Sequence, residues 1–262
     1  MNINLSQLTN AIEPIIQKAG EILLSHFNTV LDLHTKPDGS IATNADIASE
    51  TYLKKELAAL LPEASFNAEE SGKQGSSSYC FVIDPLDGTT NFSRGIGYFC
   101  ISICLTYNEE PILGITYQPL MKELFVARKG EGAFLNGQKL NISTPVALDQ
   151  SLTVVGLPYT KNKQYAELLE MTRVIAPKSL AFRHLGACAL DLAYVAAGRM
   201  NGVYFADLAW WDVAAGSLLI QEAGGTISDF EGNPITPAFK TCVAGSPLVY
   251  GVLKSLVKQA RE

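Results

Sequence analysis

The chain has 262 residues, 47% of them hydrophobic and 18% charged, and a formal net charge of -6. That length suits one globular unit over 1–262 with a large core, divisible into two lobes at about 1–145 and 146–262, and the composition excludes a disordered class. The acidic balance argues against a nucleic-acid or membrane-surface partner, because either needs a basic patch. Five cysteines, with no Cys-x-x-Cys pair, and three scattered histidines point to reduced core thiols and away from disulfides or zinc. No basic-then-apolar leader and no apolar run of ~18 residues is found, so the expectation is a soluble, cytoplasmic protein.

In chain order, Leu5, Leu8, Ile12, Ile15, Ala19, Ile22 and Leu23 recur at three- and four-residue spacing and predict a first helix, with Pro14 as a point of interruption. A polar loop is expected over 34–43. A second helix is predicted over 44–61, capped by Thr43 or Asn44, with Asp46 in its first turn and Pro62 as its stop. Strands are predicted at 79–83, 98–107, 112–117 and 123–127, in antiparallel pairing, and Asn136-Gly137 marks a hairpin. The second half alternates: strand 152–157, helix 165–175, strand 180–184, helix 187–197, strand 202–205, helix 213–223 and a last helix from about 248. Alternation of this kind builds layered sheets with helices between and outside them.

The segment Asp84-Pro85-Leu86-Asp87-Gly88-Thr89-Thr90-Asn91-Phe92 carries the functional argument. Two carboxylates stand three residues apart after an apolar strand, and sheets place functional groups at strand ends. Pro85 disfavours α at Asp84 and forces a turn. A turn can bring both carboxylates to one point, and Gly88 permits close backbone approach to a ligand. Thr89 and Thr90 offer amides where a helix can begin, which is a place for a phosphate. Asp-Pro and Asp-Gly alone would be ordinary turn formers. Glu69-Glu70-Ser71, taken alone, reads as a solvated loop, and Asp212, at the head of an apolar helix, reads equally as its N-cap. Glu69, Asp84, Asp87 and Asp212 taken together are an all-oxygen set that suits hard cations, magnesium first.

These residues resemble the inositol monophosphatase family. Asp84 to Phe92 matches its signature, Glu69-Glu70-Ser71 its upstream acidic motif and Trp211-Asp212-Val213-Ala214-Ala215-Gly216 its downstream one. Asp191 to Arg199, Glu222-Ala223-Gly224-Gly225 and the loop Lys36-Pro37-Asp38-Gly39-Ser40 add supporting matches. The resemblance spans roughly residues 5 to 255. It implies a layered αβαβα sandwich of the inositol monophosphatase / fructose-1,6-bisphosphatase type and a magnesium-dependent, lithium-sensitive phosphatase. Two to three Mg2+ ions are implied: Glu69, Asp84 and the Leu86 carbonyl hold one, Asp84, Asp87 and Asp212 a second, and a weaker third sits near Glu69. Thr89 and Asp46 would orient the attacking water. The amides of Gly88 and Thr89 would bind phosphate beside Asp87 and Asp212.

Gly186, Ala187 and Cys188 would line the pocket for the alcohol. Family members that cleave inositol phosphates carry a Glu seven residues before the last metal Asp, where this chain has Phe205. Either Asp207 substitutes, or the substrate is not inositol phosphate. The expected partner is a small phosphorylated metabolite, inositol-1-phosphate or a related polyol or sugar phosphate, and a homodimer is implied. The alternatives are fructose-1,6-bisphosphate, histidinol phosphate or 3'-phosphoadenosine phosphate as substrate, or a regulatory protein that keeps the fold.

Overall fold

The structure is a computed structural model that describes residues 3–37, 39–142 and 147–261. Asp38 of the Lys36–Ser40 loop and the lobe boundary expected near 145 lie outside the described residues.

Helix α1 (Leu5–His26) runs through Pro14, and its apolar stripe of Ile12, Ile16, Ala19 and Leu23 is wholly buried. The stretch expected to be a polar loop instead forms a small antiparallel hairpin, β1 (Leu33–Thr35) and β2 (Ile41–Thr43). Local polarity hid these strands, whose pairing satisfies backbone groups without a buried face on β1. Helix α2 (Asn44–Leu60) follows at once. Thr43 is its N-cap, accepting from the Ala45 amide at 3.1 Å, and Asp46 returns the bond by accepting from the Thr43 amide at 2.8 Å.

The short strands β3 (Ser65–Ala68) and β4 (Gly72–Gln74) precede β5 (Tyr79–Asp87), helix α3 (Thr89–Ser93), β6 (Cys100–Tyr107), β7 (Glu110–Gln118), β8 (Glu123–Arg128), β9 (Gly132–Leu135) and β10 (Gln138–Lys139). They make an eight-stranded sheet in the order β10-β9-β8-β7-β6-β5-β3-β4. Every pair is antiparallel except β3 with β5. Asn136-Gly137 joins β9 to β10 with both residues at positive φ, as its hairpin signal predicts.

The second half contributes β11 (Leu152–Gly156), α4 (Lys163–Ile175), β12 (Ala181–Arg183), α5 (Cys188–Ala196), β13 (Gly202–Ala206), α6 (Trp210–Glu222), β14 (Thr226–Ser228), β15 (Thr241–Gly245) and α7 (Pro247–Arg261). Its sheet order is β12-β11-β13-β15-β14, parallel among the first three strands and antiparallel beyond.

Five layers result. Helices α1 and α2 cover one face of the large sheet, α5 and α6 fill the space between the two sheets, and α4 and α7 cover the outer face of the small one. Period-two alternation assigns the side chains. Phe81 and Ile83 of β5 point to the first core, Val82 to the central one. On β13, Val203 and Phe205 enter the central core and Tyr204 the outer one. The expected layered α/β architecture is the observed one. No helix among the described residues is long and apolar enough to cross a membrane.

Candidate active site

A cavity of about 500 Å3 opens where the end of β5, the start of α3 and the N-termini of α5 and α6 meet. Its lining includes Glu69, Asp84, Leu86, Asp87, Gly88, Thr89, Gly186, Ala187, Cys188 and Asp212. Residues separated by more than 140 positions in the sequence thus face one space. Two candidates do not line it. Asp46 lies buried behind Thr89, and Phe205 lies elsewhere.

The strand expected to end at 83 with a turn at Asp84-Pro85 instead runs on to Asp87, and the proline is taken up in a bulge of the sheet. The Asp84 carboxylate accepts the Leu86 amide at 3.0 Å, which closes the chain on itself, and pairing with β6 shifts register between Asp84 and Asp87. Gly88 then turns at φ +90°. A methyl there would stand 2.9 Å from the Tyr98 carbonyl oxygen and 3.1 Å from Ala187 Cβ, so both conformation and space demand glycine. The Thr89 hydroxyl sits between two acceptors, the Leu86 carbonyl at 2.9 Å and the Asp46 carboxylate at 3.1 Å.

Asp87 ties the halves of the molecule together. Its oxygens accept three amides from the start of α5: Cys188 at 3.1 Å, Ala189 at 2.8 Å and Leu190 at 3.2 Å. Asp212 is not an N-cap. Ala209 holds that position, and Asp212, three residues on, accepts the Ala209 amide at 2.8 Å. The helix expected from 213 begins three residues earlier, at Trp210, nearly a full turn that the two aromatic residues before Asp212 concealed from the sequence reading. Glu69 and Glu70 form the turn between β3 and β4, half-buried where a solvated loop was the reading in isolation. Both carboxylates take Lys36, at 2.6 and 2.7 Å. Burial would lower the Lys36 ammonium, but its two partners outweigh that and hold it above its usual range.

The electrostatics are those of crowded acid groups. Burial, then the charges of Glu69, Asp87 and Asp212, pushes the Asp84 carboxyl well above its usual value. Burial, then Glu69 and Asp87, does the same to Asp212. Asp87 is pushed up to about 7 by burial, against the opposing pull of its amide donors. Asp46 is also pushed up to about 7, again by burial, with the Thr43 bonds resisting. Burial and the charges of Asp212 and Asp87 raise the Cys188 thiol.

Among the described residues no group of three or more His, Cys, Asp or Glu stands ready-made as a metal cluster. Lys36 occupies Glu69, and backbone amides take part of Asp84, Asp87 and Asp212. The donor chemistry nonetheless fits a hard cation. The ligands are all oxygen, Asp84 is 1% exposed, and the repulsion that raises these carboxyls is relieved by positive charge.

Phe205 stands at the position where relatives carry a substrate-binding Glu, but it is not a substrate-binding residue here. It is wholly buried, and its ring fills the space above Gly156, where a methyl would run into it. Strand alternation turns it inward to the central core, so it does not line the cavity. Asp207, at φ 60°, is exposed and binds the Asn162 side chain at 2.8 Å. Lining residues that sequence reasoning passed over are Tyr159, whose hydroxyl meets Thr90 Oγ1 at 2.9 Å, and His184, whose Nδ1 meets the Val155 carbonyl at 3.0 Å. The Leu-Pro-Tyr turn at the end of strand 152–157 was the available signal for Tyr159. Nothing local marked His184.

Five alternating layers thus enclose an acidic cavity at the end of β5. Residues 4–262 match the family model described as the inositol monophosphatase family. An inositol-1-monophosphatase of Mesorhizobium japonicum is 36% identical over 258 residues, 97% of each chain. The Nus factor SuhB of Escherichia coli is 37% identical, covering 94% of this chain and 92% of that one. The crystal structure of the extragenic suppressor protein suhB from Bartonella henselae superposes with a TM-score of 0.92 at 33% identity, covering 97% of this chain and 99% of that one. The chain belongs to the inositol monophosphatase family.

Proposed function

We propose that this phosphatase is a cytoplasmic, magnesium-dependent phosphomonoesterase that cleaves a small phosphate ester by attack of water. The observation that carries the reading is that buried Asp84 and Asp87 line one cavity with Asp212 and Thr89, whose hydroxyl bonds Asp46 behind it. The name of the Mesorhizobium relative puts inositol-1-phosphate first among candidate substrates. A purely regulatory protein would be free to lose its carboxylates, and this sequence retains Glu69, Asp84, Asp87 and Asp212.

Glu69, Asp84, the Leu86 carbonyl, Asp87 and Asp212 would hold two to three Mg2+ ions, which when bound supply the positive charge that a phosphate monoester and its leaving oxygen need. The remaining work falls to the chain itself. With its proton directed to Asp46, the Thr89 hydroxyl keeps a lone pair for an O–H of the attacking water. Asp46, raised to about 7, can take up a proton relayed through that hydroxyl near neutral pH. The amides of Gly88 and Thr89 are assigned to the phosphate. No protein nucleophile is needed, in keeping with a reaction dominated by positioning and charge.

The test is phosphate release from a panel of monoesters with and without Mg2+. Activity is expected to need added Mg2+ and to vanish with chelator, with Li+ inhibiting. Full turnover in excess EDTA would overturn the metal assignment. Thr89→Ala is expected to lower kcat about a hundredfold with Mg2+ affinity, read by calorimetry, unchanged. A large fall in that affinity at unchanged saturated kcat would make Thr89 a ligand instead. We also infer a homodimer from the family resemblance, and a sedimentation mass of one chain would overturn it.

A further inference from the structure

Three strands of the small sheet, β12, β11 and β13, lie side by side in parallel, and all three end at the candidate active site. Sheets of this kind receive ligands outside the carboxyl ends of their strands. Tyr159 follows β11 by three residues, His184 follows β12 directly and Asp207 follows β13 directly. Tyr159 and His184 line the cavity described above. Asp207 lines a smaller cavity of about 300 Å3 that shares Glu69, Asp212, Tyr159 and Leu208 with the first. The two form one space, with the metal-binding carboxylates at their junction.

The Tyr159 hydroxyl is bonded to Thr90. Asp207 and His184 are left with polar atoms that the chemistry above does not use. Phe205 and Ala206 are buried in the layers on opposite faces of β13, so Asp207 is the first exposed side chain beyond that strand. Its φ of 60° is left-handed, a conformation that Asp tolerates. Its amide donates to the Lys240 carbonyl at 2.9 Å. Asn162, whose Oδ1 caps α4, donates from Nδ2 to Asp207 Oδ2 at 2.8 Å. The carboxylate is thus fixed before any ligand arrives, and among the described residues nothing donates to its Oδ1. His184 is exposed as well. A backbone carbonyl can only accept, so Nδ1, facing the Val155 oxygen, carries the ring proton, and in the neutral imidazole Nε2 is an acceptor.

We propose that Asp207 Oδ1 and His184 Nε2 accept hydroxyls of the substrate's alcohol and so set a preference for polyol phosphates. This rests on the phosphatase reading and names the residues by which the same site reads its substrate. Because β12 and β13 flank β11, their ends stand about 9–10 Å apart. A small polyol can bridge that span with a hydrogen bond at each end. An alcohol without further hydroxyls leaves both acceptors unpaired, which is the mismatch that hydrogen-bonding sites discriminate against.

The experiment compares inositol-1-phosphate with n-butyl phosphate, an ester of an equally unactivated alcohol that carries no further hydroxyl, in the presence of Mg2+. The wild-type enzyme is expected to favour inositol-1-phosphate in kcat/KM by about a hundredfold. Asp207→Gly removes the carboxylate at a φ that glycine adopts freely, and should cut the ratio of the two esters about tenfold or more. His184→Phe keeps a ring without an acceptor and should cut the ratio about fivefold. Both losses should fall mainly on KM for inositol-1-phosphate. A role in folding alone would lower both esters together. A ratio that either substitution leaves unmoved, or equal kcat/KM for the two esters in the wild type, would overturn the proposal while leaving the phosphatase standing. Release of phosphate from neither ester would instead overturn the phosphatase reading, and this one with it.

Discussion

Asp84→Asn is expected to cut kcat by at least about a hundredfold, roughly 2.7 kcal/mol of barrier, in a protein that remains folded. The fold tolerates the change because the bond this side chain accepts from the Leu86 amide is one an asparagine oxygen can also accept. What is lost is a charge. Asp84 stands among Glu69, Asp87 and Asp212, and all three raise its carboxyl. Without metal that crowding is a liability, so the variant should melt higher than the wild type when both are metal-free, and the order should reverse when Mg2+ is added.

The pH dependence has a defined sign. Asp46 and Asp87 titrate near 7 in the folded chain, against an ordinary value of 3.8. Between those values each binds more protons folded than unfolded, so their contribution to metal-free stability is full below about 4 and is lost as pH rises towards 7. Melting temperatures across that interval, with and without Mg2+, check the effect. A variant keeping more than about a tenth of wild-type kcat, a loss under roughly 1.4 kcal/mol, would remove Asp84 from the centre of the reaction.

Phe205→Glu is expected to damage the fold and to leave substrate choice unexplained by position 205. The phenyl ring is wholly buried between β13 and the central helices, above Gly156. Its removal alone would cost about 3–5 kcal/mol, and a carboxylate without a partner in the same place adds a desolvation penalty. A melting temperature lower by about 10 °C or more is expected for a chain of this length. Phe205→Leu, which nearly fills the volume, should lose far less. Had the ring faced the alcohol, Phe205→Glu would have altered ester preference at nearly unchanged melting temperature. Observing that pattern would refute the inward orientation.

The layered α/β class, the helices α1 and α2, the antiparallel strands β5 to β8, and the Asn136-Gly137 turn were legible in the sequence, because each rests on a period or a turn chemistry held within a few neighbouring residues. So was the turn at Gly88 into a helix start at Thr89, whereas the turn expected at Asp84-Pro85 is a bulge in a strand that its pairing with β6 carries on to Asp87. The tertiary structure alone decided which groups meet there. Asp87 accepting the amides of α5, Lys36 reaching Glu69 and Glu70, and Tyr159 closing on Thr90 join residues 33 to 103 positions apart. It also decided the inward turn of Phe205. A strand's alternation is readable from its residues, but which of its two faces meets the core and which the cavity depends on the layers packed against it. β13 lies between two apolar layers, so both of its faces are buried and its side chains carry no polar mark to tell the faces apart.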